Sequence, residues 1–184
     1  YNGNPLDLIP EPFTTANYER AVTSLPFGRF ILNTLLISTV VPFFQIVFSC
    51  LAAYSFARLH FKGRDVVFMA LLGVMMFLGH ITLIPDYAIV RAIGWIDTYW
   101  ALLIPPIFSS SIVFNMFFMR QFFLGFPSEL EEAAIMDGCS RFQILWKILL
   151  PNSVPALATI AIISFKEQWN SFLWPLVVIN DYDK

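Results

Sequence analysis

The chain has 184 residues, of which 58% are hydrophobic and 13% charged, and its mean hydropathy is +0.69. Soluble domains contain about 45–50% apolar and about 25% charged residues, so this composition predicts a membrane protein. Eleven Lys and Arg stand against thirteen Asp and Glu, which gives a net charge of −2, and the sequence has no basic block. Nucleic-acid binding is therefore excluded as a function.

The two cysteines and the first residues of the chain predict neither metal chemistry nor a signal peptide. Cys50 lies in an apolar run and Cys139 in a charged segment, without CxxC or metal-ligand spacing. The chain opens at Tyr1 with a polar stretch that has no basic n-region. We therefore expect no metal site, and we expect the chain to be a fragment of a longer protein.

Four apolar windows are long enough to cross a membrane, which takes about 20 residues. We assign the spans to residues 30–57, 66–85, 99–119 and 148–176. The second window contains the ionisable His80, for which hydrogen-bonded packing and a functional role are both open. The sequence thus predicts an all-α membrane protein, a polytopic helical bundle with four transmembrane spans.

Basic residues beside the spans predict the orientation, because Lys and Arg are enriched in cytoplasmic loops. They follow the first and the third span: Arg58, Lys62, Arg64, Arg120, Arg141 and Lys147. We therefore expect the loops 58–65 and 120–147 to be cytoplasmic. The segments 1–29, 86–98 and 177–184 are expected to be external.

Polar residues of the first span recur on one helix face, which predicts that this face looks into a bundle. They are Thr34, Ser38, Gln45 and Ser49. In the third span, Pro105 and Pro106 predict a break of the helix near its outer end. Asn115 follows near the middle of that span, and helix packing and a transport pathway are equally open for it.

The segment 120–147 is too organised to be a linker. Ser128 follows Pro127 and precedes Glu131 by three residues, which is the spacing of a capping box and predicts a helix start. Gly138 is the predicted end of that helix.

A second helix is predicted directly after this glycine. Ser140 and Gln143 repeat the capping-box spacing. The helix then carries an apolar face with Phe142, Leu145, Trp146 and Leu149. Two short helices around a glycine hinge predict a compact protrusion suited to docking.

This loop resembles a known family motif. Glu132-Ala133-Ala134, three residues, Gly138, nine residues and Ile148-Leu149-Leu150-Pro151 match every position of the EAA loop, E-A-A-x3-G-x9-I-x-L-P, of permease subunits of binding-protein-dependent ABC importers. Further segments resemble the carbohydrate branch related to the maltose permeases: AAYSFARLHFKGRD at 52–65, LIPDYAIVRAIGWIDTYWALLIP at 83–105, FFMRQFF at 117–123 and WNSFLWPL at 169–176. The resemblance implies the type I ABC importer permease fold, of which this chain would hold the second to fifth of six spans.

The resemblance also implies that the loop docks onto a separate ATPase. The implied docking residues are Glu132, Ala133, Ala134, Asp137, Gly138, Ile148, Leu150 and Pro151. Small alanines let a helix enter a groove, and Glu132 is placed to accept a charge-assisted hydrogen bond from a basic residue of the partner. From its charge alone, the same acidic helix would be interpreted as a solvated surface.

Candidate pathway residues lie in the third and fourth spans. They are Asn115, Lys166, Glu167, Trp169 and Asn170. A charge at the bilayer centre costs at least about 2.5 kcal/mol, so Lys166 and Glu167 are expected to face protein or water. The stretch resembles the family segment F-x3-W-N-x-F-x2-P-L, which implies a position beside the translocation path. The alternative is packing, with Lys166 neutralising a carboxylate of a second permease.

No catalytic motif such as HExxH, GxSxG or GxxxxGK[ST] occurs, so we expect a chain that is not an enzyme and holds no cofactor. The resemblance implies a sugar importer, for di- or oligosaccharides, in a prokaryotic cytoplasmic membrane. It implies a second permease, a cytoplasmic ATPase dimer that binds ATP and Mg, and an external solute-binding protein. Two alternatives stay open: an importer for a non-sugar solute such as a glycerophosphate or polyamine, and a structural or channel-forming protein that uses no ATP.

Overall fold

The structure is a computed structural model that describes residues 27–76 and 81–180. Within these two ranges the chain forms nine helices and no β-strand. In chain order they are α1 (Phe27–Arg58), α2 (Arg64–Val74), α3 (Leu83–Ile93), α4 (Tyr99–Ile107), α5 (Ser110–Leu124), α6 (Ser128–Met136), α7 (Arg141–Asn152), α8 (Val154–Trp169) and α9 (Leu173–Val178). The chain divides between residues 36 and 37 into two units, and the tertiary contacts described below lie within the second unit.

Two stretches of the described residues are helical, long and apolar enough to cross a membrane. One is α1, with 32 residues, and the other is the 26-residue run Tyr99–Leu124 formed by α4 and α5. The bent pair α7 and α8 counts as a third if it is one broken span. The second predicted span, 66–85, falls on α2 and α3, which have 11 residues each. His80 lies outside the described residues.

Helix α3 occupies most of the segment 86–98, which we predicted to be an external loop, so that prediction is corrected here. The helix ends at Gly94, which has a φ of +80°, and it buries Val90. Asp86 and Arg91 interrupt its apolar residues. A search for long uncharged windows therefore passes over a short amphipathic helix of this kind.

The polar face predicted for α1 is buried for the three residues that lie in the second unit. Ser38, Gln45 and Ser49 are each at most 1% exposed. Thr34 lies in the first unit and is partly exposed, and its hydroxyl donates to the Phe30 carbonyl over 2.9 Å. The 3.6-residue repeat thus identified the inward side of the helix correctly.

The break predicted at Pro105 and Pro106 is confirmed, since α4 ends at Ile107 and α5 begins at Ser110. Proline lacks an N–H group and leaves a carbonyl of the preceding turn without its helical partner. The Ala101 carbonyl, four residues before Pro105, accepts instead from Trp174 Nε1 over 2.8 Å, and the buried Gln45 Nε2 donates to the Pro106 carbonyl over 2.8 Å at the end of α4.

A second break separates α7 from α8, which meet at 82°. Residues Leu145–Leu149 form a π-helical turn just before Pro151, and this wider turn accommodates a proline ring that would clash with the preceding turn of an α-helix. At the bend, Ser153 Oγ donates to the Leu149 carbonyl over 2.6 Å, and Asn152 Nδ2 donates to the Ile148 carbonyl over 2.7 Å. These side chains satisfy carbonyls that the end of α7 leaves free.

The apolar side chains of the second unit collect in two clusters. The main core contains residues of six helices, α1, α2, α5, α6, α7 and α8. Its buried members include Tyr54, Phe68, Phe123, Leu145 and Ile160. A smaller cluster joins α3, α4 and α9 through Val90, Ala101, Leu102 and Val178. In the small cluster, Trp174 Nε1 donates to the Ala101 carbonyl over 2.8 Å, so the tryptophan is both packed and hydrogen-bonded.

Candidate coupling loop and transport cleft

Helix α6 begins at Ser128, but its start differs from the predicted capping box. Pro127 is the N-cap, and no side chain caps the helix. Glu131 turns inward and is 5% exposed, with Oε1 2.9 Å from Arg58 Nε. A buried ion pair with an arginine displaces the weaker hydrogen bond that a capping box would offer.

The predicted end of α6 at Gly138 is confirmed. Gly138 has a φ of +82°, and its N–H donates to the Ile135 carbonyl over 2.9 Å. The N–H of Cys139 donates to the Ala134 carbonyl, also over 2.9 Å. This pair of bonds is the Schellman arrangement, which needs a residue that tolerates a positive φ.

The predicted capping box of the second helix is also confirmed. Ser140 Oγ accepts from the Gln143 N–H over 3.3 Å, and Gln143 Oε1 accepts from the Ser140 N–H over 2.8 Å. Both sides of the glycine turn are thus held by local hydrogen bonds. The result is a helix–turn–helix with hydrogen-bonded ends at its turn, which we call the coupling loop (residues 128–152).

The structure distributes the implied docking residues between the surface and the core. Those exposed are Glu132, Ala133, Asp137, Gly138 and Pro151. Ala134 is buried in the main core, and Ile148 and Leu150 are partly buried against it. The second alanine and these two apolar residues therefore hold the loop to the bundle, while the other five lie open to a partner.

A cleft of about 320 Å³ lies where α5 and α8 face each other near the end of α2. We call it the polar cleft; it is lined by Met75, Ser110, Ser111, Phe114, Asn115, Ile163 and Glu167. Ser111 Oγ donates to Glu167 Oε1 over 2.6 Å. Asn115 Nδ2 donates to Ser164 Oγ over 2.9 Å, and this second pair is buried. Hydroxyl, amide and carboxylate groups thus converge beside an aromatic ring.

The other three pathway candidates lie outside the lining of this cleft. Lys166 is exposed. Trp169 stacks on Phe165 with 5.7 Å between the ring centroids. Asn170 Nδ2 donates to the Lys166 carbonyl over 2.7 Å and so closes the last turn of α8. Of the five predicted residues, the structure brings together Asn115 and Glu167.

Comparison with known proteins identifies the family. Residues 26–182 match the family described as "Binding-protein-dependent transport system inner membrane component". This chain belongs to that family. The protein is therefore embedded in a membrane, as its composition predicts, and the EAA loop lies within the matched residues.

Several relatives of this chain are permease proteins of sugar transport systems. It is 35% identical over 183 residues to the arabinooligosaccharides transport system permease protein AraQ of Halalkalibacterium halodurans, covering 99% of this chain. It is 32% identical to the trehalose/maltose transport system permease protein MalG of Thermococcus litoralis, covering 98%. A solved chain of a bacterial ABC transporter involved in the import of the acidic polysaccharide alginate superposes over 99% of this chain, with a TM-score of 0.85 and 28% identity. The chain spans 64% of each relative and 63% of the solved chain.

Proposed function

We propose that this chain is a permease subunit of an ABC importer that passes a di- or oligosaccharide across the cytoplasmic membrane of a prokaryote. The observation that carries the proposal is the complete EAA motif on an exposed, locally capped helix–turn–helix. Glu132, Ala133 and Gly138 are exposed on this loop, where a partner can reach them. The sugar permeases among its relatives support the substrate class.

The proposed mechanism is alternating access driven by a separate ATPase. The ATPase dimer binds ATP and Mg, and its closure moves the coupling loop. Helix α7 of this loop continues through the 82° bend into α8, and α8 supplies Ser164 and Glu167 to the region of the polar cleft. A push on the loop therefore reaches the residues of the cleft across the bend, which the side chains of Asn152 and Ser153 hold by hydrogen bonds.

The chemistry of the polar cleft suits a neutral sugar. Hydroxyl groups of a sugar pair with serine, amide and carboxylate groups, and a sugar face packs on an aromatic ring such as Phe114. Glu167 places a carboxylate in this cleft, which disfavours a glycerophosphate. We propose that a second permease completes the pathway and that an external solute-binding protein delivers the sugar.

Transport by the full transporter in proteoliposomes tests this function. We expect uptake of radiolabelled maltotriose or arabinotriose that needs ATP inside the vesicles and the solute-binding protein on the opposite side. Uptake of glycerol 3-phosphate or spermidine instead would favour the non-sugar importer. Solute flux that continues without ATP, together with no ATPase in the purified complex, would favour a channel.

The proposed orientation predicts which positions an external reagent can reach. Lys62→Cys and Lys147→Cys, each in a cysteine-free background, are expected to resist a membrane-impermeant maleimide added to intact cells. Ile93→Cys, on the exposed surface of α3, is expected to react and serves as the positive control. Labelling of position 62 or 147 in intact cells would reverse the topology.

The docking role of Glu132 predicts a specific effect of charge reversal. Glu132→Lys is expected to lower both ATPase co-purification and uptake by about tenfold, because a charge-assisted hydrogen bond contributes about 1.5–3 kcal/mol. Glu129→Lys changes the net charge equally on the same helix and is also exposed. This control is expected to transport normally. Equal losses in both variants would indicate a general charge effect and contradict specific docking.

A further inference from the structure

We infer that Glu131, Arg58 and Arg141 form an ion-pair latch that holds the coupling loop at a set angle to the spans and thereby determines how tightly ATP hydrolysis is coupled to transport. The inference rests on the proposed function, because coupling has meaning only in a transporter with a separate ATPase. We call this cluster the Glu131 latch. Its members act by positioning other groups, without contact to substrate.

The carboxylate of Glu131 lies between two guanidinium groups from different elements. Oε1 is 2.9 Å from Arg58 Nε at the end of α1, and Oε2 is 3.5 Å from Arg141 Nη1 at the start of α7. The side chains of Glu131 and Arg58 are 7% and 12% exposed, whereas that of Arg141 is 53% exposed. One carboxylate of α6 is thus tied both to a spanning helix and to the other arm of the coupling loop.

Arg58 extends the cluster to a fourth element, α5. Its Nη2 donates to the carbonyls of Phe123 and Phe126, over 2.7 and 2.6 Å. These carbonyls lie at the end of α5, where a helix leaves acceptors unpaired and its dipole favours a positive charge. Since Glu131 supplies the matching negative charge, a single guanidinium joins the ends of α1 and α5 to α6.

Helix α6 has little apolar packing that could hold it without this cluster. The residues that it buries are Glu131 and Ala134, and an alanine contributes a small apolar area. Its large apolar side chains are exposed, with Leu130 at 47% and Met136 at 88%. The position of the helix therefore depends on Glu131 to an unusual degree.

The sequence places an inward and an outward carboxylate side by side. Adjacent helical residues point about 100° apart, so Glu131 can face Arg58 while Glu132 faces outward. A force on the outer face of α6 is then passed by its inner face to α1 and α5. Weakening the latch should let the ATPase bind and hydrolyse ATP while the spans respond incompletely.

The test measures ATP hydrolysed per sugar imported by the full transporter in proteoliposomes loaded with ATP. In the Glu131→Gln variant we expect this ratio to rise at least about fivefold, while the ATPase still co-purifies in wild-type amount. The Glu131→Asp variant, which keeps the carboxylate, is expected to retain part of the coupling. Glu129→Gln, on the exposed side of the same helix, is expected to leave the ratio unchanged.

Three results would overturn the inference. They are an unchanged ratio in Glu131→Gln, loss of the ATPase from that variant, and an equal rise in the Glu129→Gln control. If Glu131→Gln fails to accumulate, Arg141→Gln replaces it. Arg141 is half exposed, and its loss leaves the ion pair of Glu131 with Arg58 in place. An unchanged ratio in Arg141→Gln would also overturn the inference. Absence of ATP-dependent uptake by the wild type would instead reject the proposed function.

Discussion

Gly138→Val is expected to lower ATP-dependent uptake by about 5- to 30-fold while the chain still inserts into the membrane. Gly138 has a φ of +82°. A residue with a β-carbon in this left-handed region costs about 1–2 kcal/mol, and a β-branched side chain is the least tolerated there. One or two kcal/mol changes an equilibrium by about 5- to 30-fold. Apart from its neighbours in the chain, no described atom lies within 4 Å of a β-carbon added at Gly138, so the effect arises from the backbone conformation.

The strain of the valine variant is relieved by rotating the turn, which changes the angle between α6 and α7. Gly138→Asn is the matched control, because asparagine adopts positive φ more readily than other residues with a β-carbon. We expect the asparagine variant to keep most of its uptake. The measurement is the initial rate of uptake per amount of assembled transporter. A valine variant that transports at the wild-type rate would show that the turn tolerates reorientation.

Glu167→Ala is expected to reduce sugar uptake about tenfold with assembly intact. Its carboxylate lines the polar cleft and accepts from Ser111 over 2.6 Å. A hydrogen bond to a charged group contributes about 1.5–3 kcal/mol, and about 1.4 kcal/mol corresponds to a factor of ten. The alanine variant lacks this acceptor for a sugar hydroxyl. The reduced uptake should therefore appear as a higher half-saturating substrate concentration or as a lower maximal rate.

Lys166→Ala provides the control for this experiment, because Lys166 is adjacent in sequence, exposed and outside the lining of the cleft. Exposed substitutions away from a functional site change free energies by about 0.5 kcal/mol or less, which corresponds to about twofold in rate. We therefore expect near-normal uptake. The reverse pattern, with a loss in Lys166→Ala and none in Glu167→Ala, would place the pathway on the other side of α8. A fall in assembled transporter in Lys166→Ala would support pairing with a second permease.

Features that depend on neighbouring residues were predictable from the sequence. Composition alone assigned the chain to a membrane. The spacing of Ser140 and Gln143 predicted a cap that the structure contains, and Gly138 ends its helix as expected. These features depend on contacts within one or two helical turns, where residue type and spacing determine which hydrogen bonds can form.

The direction of Glu131 was decided by the tertiary structure. From spacing alone it was assigned to a capping box with Ser128, whereas Arg58, far away in the sequence, draws it into the core. The different positions of Lys166 and Glu167 have the same origin. Both were predicted to line a pathway, and the packing of α8 against α5 turns only Glu167 toward the polar cleft.

Composition and local spacing thus determined the membrane class, the turn at Gly138 and the capped helix start at Ser140. Three features became visible only in the folded structure: the 82° bend between α7 and α8, the short helix α3 and the polar cleft. The physical reason is distance along the chain: Ser111 and Glu167 are separated by 56 positions, and Arg58 and Phe123 by 65. A side chain that could pair with several groups pairs with the one that helix packing brings closest. That partner is determined only when the helices assemble.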